Sequence, residues 1–61
     1  MEYTIQNMAG RKLSGFYPNA YGSKISYRKN DYYVFTYDEA VRFLKHIHSY
    51  NVGHKLALVP I

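Results

Sequence analysis

The 61 residues contain no cysteine, so neither a disulfide nor a thiolate zinc site can brace the fold. A chain this short buries only about 60% of the surface that its unfolded form exposes. Cohesion must therefore come from packing, from an oligomer or from a bound partner. The lack of cysteine also suits a reducing compartment. Long apolar runs are missing too, since nothing approaches the roughly 18 residues of a membrane span. Met1-Glu2-Tyr3 has neither the basic nor the apolar part of a secretory leader. The chain therefore reads as a complete, soluble, cytoplasmic product, one small domain over residues 1–61, with no internal repeat and no low-complexity tract.

Acidic residues are scarce and unevenly placed. Glu2, Asp31, Asp38 and Glu39 are the only carboxylates, against eight Lys and Arg, for a net charge of +4. No acid lies between Tyr3 and Asn30, the stretch that carries Arg11, Lys12, Lys24 and Arg28 together with Lys29. The favoured partner surface is anionic or mixed. What is abundant is apolar and aromatic: 48% and 18% of the residues, enough to mark a folding sequence and not a disordered tail.

Tyr3-Thr4-Ile5-Gln6 alternates apolar and polar as a half-buried strand does. Residues 11–17 read as a second strand only weakly, because Gly15 and the Lys12-Leu13 pair spoil the alternation. Lys24 to Lys29 alternates cleanly, Asn30-Asp31 supplies turn residues, and Tyr32-Tyr33-Val34-Phe35 has strong strand propensity. The pattern predicts a hairpin pairing Tyr27 with Val34 and Arg28 with Tyr33. Thr36-Tyr37-Asp38-Glu39 is a capping box, with Phe35 and Ala40 at its hydrophobic-staple positions, so a helix starts there. Ala40, Val41, Phe43, Leu44, Ile47 and Tyr50 fall on one side of it, opposite Asp38, Arg42, Lys45 and Ser49. Asn51-Val52-Gly53 offers a stop, with Gly53 suited to a left-handed conformation. Lys55 to Val59 is an apolar run before Pro60, which suggests a strand that is central or covered on both faces.

These elements imply an α+β fold in β-β-β-α-β order: a three- or four-stranded, mainly antiparallel sheet packed against one amphipathic helix. The expected core sets Ala40, Val41, Phe43, Leu44 and Ile47 on Ile25, Tyr27, Val34, Leu56 and Leu58. The other face of the sheet is left for function.

Two kinds of contact suit that face. Lys24, Arg28 and Tyr33, with Arg11, Lys12 and Lys29 near in sequence, combine phosphate-neutralising charge with rings on which a base could stack, although no RNA-binding motif is present. Eight tyrosines exceed what so small a core can bury with every hydroxyl satisfied, so some must face outward. Phe16, Tyr17 and Tyr21, in and beside the irregular stretch at 17–23, then become candidate anchors for a protein partner. An unpaired edge at Tyr3–Gln6 could also extend a partner's sheet.

Other chemistry has little support. His46 and His48 point about 200° apart on a helix and cannot readily grip one metal; His48 sits at the margin of the apolar face and His46 on the polar side beside Arg42. The serines lack a nucleophile-elbow context and the four glycines are scattered, so no phosphate loop opens the helix. The expected protein is not an enzyme and takes no cofactor or metal. It binds a protein partner with an acidic or mixed surface, as the modulators and inhibitors that small phage reading frames direct at host machinery do, by analogy of size alone. The alternative is a nucleic-acid-binding module; no membrane contact is expected, and homodimerisation stays open.

Overall fold

Asn7 folds the chain back after its first strand. Its Oδ1 accepts from the Ala9 and Arg11 N–H groups at 3.0 Å each, and Gly10 completes the turn at φ 79°, where a side chain would be strained. The computed structural model describes residues 1–19, 23–50 and 53–61. Among them the elements run β1 (Tyr3–Gln6), β2 (Lys12–Tyr17), β3 (Lys24–Arg28), α1 (Tyr37–His48) and β4 (Ala57–Pro60). The four strands form one antiparallel sheet in the order β3-β2-β1-β4, so the chain is α+β with the expected β-β-β-α-β order.

Residues 12–17 are a strand after all, and a β-bulge explains why their periodicity looks poor. Leu13 pairs with Tyr27 and Gly15 with Ser26, so β2 advances two residues while β3 advances one. Ser14 is the extra residue. It lets Leu13 and Phe16, three apart, both face the core, where strict alternation would have sent one of them to the other side. The Ser14 hydroxyl is shielded from solvent and has no protein partner.

The predicted hairpin between 24–29 and 32–35 does not form. β3 pairs with β2 instead, Tyr27 lying opposite Leu13 and Arg28 opposite Lys12. Asp31 takes a left-handed φ of 60° and turns the chain away from β3. Tyr33 N–H then donates to Leu13 O at 3.0 Å, and Phe35 exchanges both backbone bonds with Tyr3, at 2.7 and 2.9 Å. The segment is thus tied to both β1 and β2. Those two strands pair at Gln6 and Lys12, and where Tyr3 would otherwise meet β2 it meets Phe35. Val34 accordingly leaves the expected core and is 45% exposed.

Two further expectations are corrected. Tyr3–Gln6 is no free edge, because β1 lies between β2 and β4. The run 55–59 yields an edge strand, not a central one: β4 begins at Ala57 and, among the described strands, pairs with β1 alone. Pro60 fits there at no cost in hydrogen bonds, since Tyr3, opposite it, spends both backbone groups on Phe35.

The α1 start follows the capping box. Thr36 Oγ1 accepts from Glu39 N–H at 3.3 Å, and Glu39 Oε1 accepts from Thr36 N–H at 2.9 Å. The helix ends at His48 with Ser49 as its cap, in a right-handed conformation. Gly53 is therefore not the stop; Asn51 and Val52 lie outside the described residues. Ile47 and Ala40 are fully buried, and Ile47 meets Ile5, Leu13 and Phe16 at the centre of the core. Ile25, Tyr27, Phe35, Phe43, Leu44, Leu56 and Leu58 pack around them.

Candidate interaction surface

With Leu13, Phe16, Ile25 and Tyr27 turned to the helix, strand alternation sends their neighbours to the other face of the sheet. The β2–β3 register sets Lys12 opposite Arg28, Gly15 opposite Ser26 and Tyr17 opposite Lys24. One face thus carries three cations and a tyrosine within three cross-strand rows. Arg11 and Lys29, both exposed, are the residues just beyond the Lys12–Arg28 pair, so four basic residues gather at one end of the hairpin.

Between these rows lies a polar concavity of about 260 Å³, with Gly15, Tyr17, Ser26, Arg28, Asp31, Tyr32 and Tyr33 among its lining residues. Gly15 is there for closeness: a Cβ would sit 3.1 Å from Tyr17 Cε2 and 3.4 Å from its hydroxyl oxygen. The Tyr17 ring therefore lies back over Gly15, two residues earlier on the same face, and still leaves 59% of the residue exposed. Lys12 Nζ stands 4.9 Å over the Tyr32 ring, a cation–π contact that fixes the ammonium and covers one face of that ring. Asp31 sits on the rim and softens the positive field where Arg28 reaches the concavity.

Lys12, Tyr17, Lys24 and Arg28 therefore share one face, with Arg11 and Lys29 at its end. Tyr33 reaches the concavity but is also held edge-on to Phe35 and Phe43, with ring centres 6.0 and 6.1 Å away. Phe16 departs from its expected role: it is 9% exposed and belongs to the core, because the bulge turns it toward the helix. Tyr21 lies outside the described residues. Tyr32 and Asp31 were not expected at this surface, and only the turn at Asp31 brings them there.

The histidines are dispersed. His46 packs edge-on against Phe16 at 5.7 Å and Tyr50 at 5.2 Å, so it flanks the apolar side of α1 and not the purely polar one. His48 is exposed. His54 Nδ1 and the Tyr27 hydroxyl share a hydrogen bond of 3.0 Å beside a second concavity of about 350 Å³, and burial pushes the Tyr27 pKa above its ordinary value. Among the described residues, no group of three His, Asp or Glu converges on a point where a metal could sit. None of the described helices is long and apolar enough to cross a membrane.

Searches with protein-family models, curated proteins and solved structures return no match to this chain.

Proposed function

We propose that this protein is a non-catalytic binding module that covers the surface of an acidic or mixed protein partner and so modulates or inhibits it. The observation that carries this reading is the β2–β3 register, which gathers Lys12, Tyr17, Lys24 and Arg28 on the sheet face away from the helix. Tyrosine and arginine make effective interface anchors, because each brings a large contact area with polar groups. The neighbouring cations would speed encounter with an acidic target. A rigid backbone under the patch keeps the ordering cost of binding low. The absence of cysteine is in keeping with action in the reducing cytoplasm.

A nucleic-acid partner would use the same charge but needs open ring faces for stacking. The Lys12 ammonium already covers one face of Tyr32, which favours the protein reading. The test is affinity capture from lysate with and without nuclease, using the unaltered chain, Tyr17→Ala and Lys45→Glu. A protein retained after nuclease, weakened about tenfold or more by Tyr17→Ala and unaffected by Lys45→Glu, supports the proposal. Loss of all capture on nuclease treatment, with DNA or RNA binding that falls steeply with salt, overturns it in favour of a nucleic-acid module.

A further inference from the structure

The sheet ends in β3 on one side and in β4 on the other, and the two edges differ. β4 is blunted. Its Pro60 turns its backbone outward, because Tyr3 opposite it bonds to Phe35, and a proline there has no N–H to offer. β3 carries no proline. Leu13 C=O accepts from Tyr33 N–H on the side away from β3, so Leu13 and Tyr27 face each other without exchanging ladder bonds. Tyr27 therefore directs its own N–H and C=O outward, and by alternation so does Ile25. Among the described residues, no backbone group bonds to that edge.

We propose that, on the binding-module reading above, on which this rests, the partner lays an extended acidic segment along β3 as a further antiparallel strand. The β3 side chains dictate the pattern of that segment. Lys24, Ser26 and Arg28 stand on the sheet face away from α1, while Ile25 and Tyr27 pack against the core on the other. The residues set opposite Lys24 and Arg28 must then be acidic, those opposite Ile25 and Tyr27 apolar, and the one opposite Ser26 small or polar.

The edge and its charges select this occupant. It offers N–H and C=O groups alike; a peptide backbone satisfies both kinds, whereas the phosphates of a nucleic acid only accept. A second copy of β3 fails on charge, because the register that pairs the whole strand sets Lys24 opposite Arg28 and Arg28 opposite Lys24. Nor does the chain neutralise these cations itself. Arg28 and Asp31 line one concavity but form no ion pair, and among the described residues Lys24 has none either. Lys12, by contrast, is engaged over the Tyr32 ring. The two charges that keep β3 from pairing with itself thus admit a strand of opposite sign.

The probe is a blocked peptide whose centre reads Glu-Val-Ser-Val-Glu, added to the whole chain at low salt and followed by NMR. Amide hydrogen exchange should slow at Ile25 and Tyr27, whose N–H groups enter the new ladder, and stay unchanged at Leu58 on the β4 edge. Saturation is expected by about 1 mM peptide. N-methylation of both valines removes the ladder donors of the peptide and keeps its charge, and should weaken binding at least about tenfold. Lys24→Glu combined with Arg28→Glu, both at exposed positions, should weaken it at least about tenfold and transfer the preference to Lys-Val-Ser-Val-Lys. Three results overturn the proposal: unchanged exchange at Ile25 and Tyr27, equal binding by the N-methylated peptide, or binding of a single-stranded oligonucleotide where the peptide does not bind. None of these touches the lysate capture, so the binding-module reading itself fails only if nuclease removes every captured protein.

Discussion

Tyr3–Gln6 and Tyr32–Phe35 are both four-residue stretches led by tyrosine, and the second has the stronger intrinsic preference for strand. Yet the first is a central strand paired on both sides, and the second is held by a few backbone bonds at its ends. The difference lies in their neighbours. Tyr3–Gln6 has β2 returned to it by the tight Asn7 turn and β4 laid along its other edge. Tyr32–Phe35 would need β3 beside it, but β3 is already paired with β2, and the left-handed Asp31 sends the chain across β2 to Tyr3. Strand propensity measures how well a residue suits a pleated surface, and here the surface was taken by another segment.

That contrast can be tested by substitution. Ile5→Ala, in the paired stretch, removes a fully buried side chain and should cost about 2–5 kcal/mol in chemical denaturation, a large part of the stability of so small a domain. Thr36→Ala, where the second stretch passes into α1, removes one half of the capping box and should cost about 1 kcal/mol. Glu39, the other half, makes this junction sensitive to acid. Its hydrogen bonds from Thr36 lower its pKa in the folded state below its ordinary value of 4.5. Its contribution is therefore complete above about that pH and is lost as pH falls through the lower folded value. Thermal melts taken from pH 5 down to about 3 should show a smaller acid loss for Glu39→Gln than for the unaltered chain. The smallest effect belongs to Val34→Ala, which should change stability by no more than about 0.5 kcal/mol because Val34 is 45% exposed. A loss from Val34→Ala as large as that from Ile5→Ala would mean that Tyr32–Phe35 is a core strand and would undo the comparison.

Features written in adjacent residues were legible. The capping box names α1 from Thr36 to Glu39, and the positions of Ala40 and Ile47 at helical spacing mark its buried side. The alternation of Lys24 to Arg28 correctly separates Ile25 and Tyr27 from Lys24, Ser26 and Arg28. Features that depend on a distant partner were not legible. A bulge at Ser14 cannot be told from broken periodicity until β3 shows which residues it faces. Phe16 therefore read as a surface anchor when it is core, and Lys12 and Arg28 were both candidates with nothing to place them opposite one another. His46 looked polar because only the packing of Phe16 beneath α1 gives its ring a wall.

The chain alone determined its class, its helix and the acid-free basic stretch, because propensity, capping and charge are properties of residues close in sequence. It also determined, by omitting cysteine, that no disulfide or thiolate metal site holds the fold. The tertiary structure decided which strands pair, that β4 is an edge, and that Lys12, Tyr17, Lys24 and Arg28 share one face. The physical reason is that strand hydrogen bonds join residues far apart along the chain. Each edge accepts one partner, so the choice rests on competition among segments and not on the preference of any one.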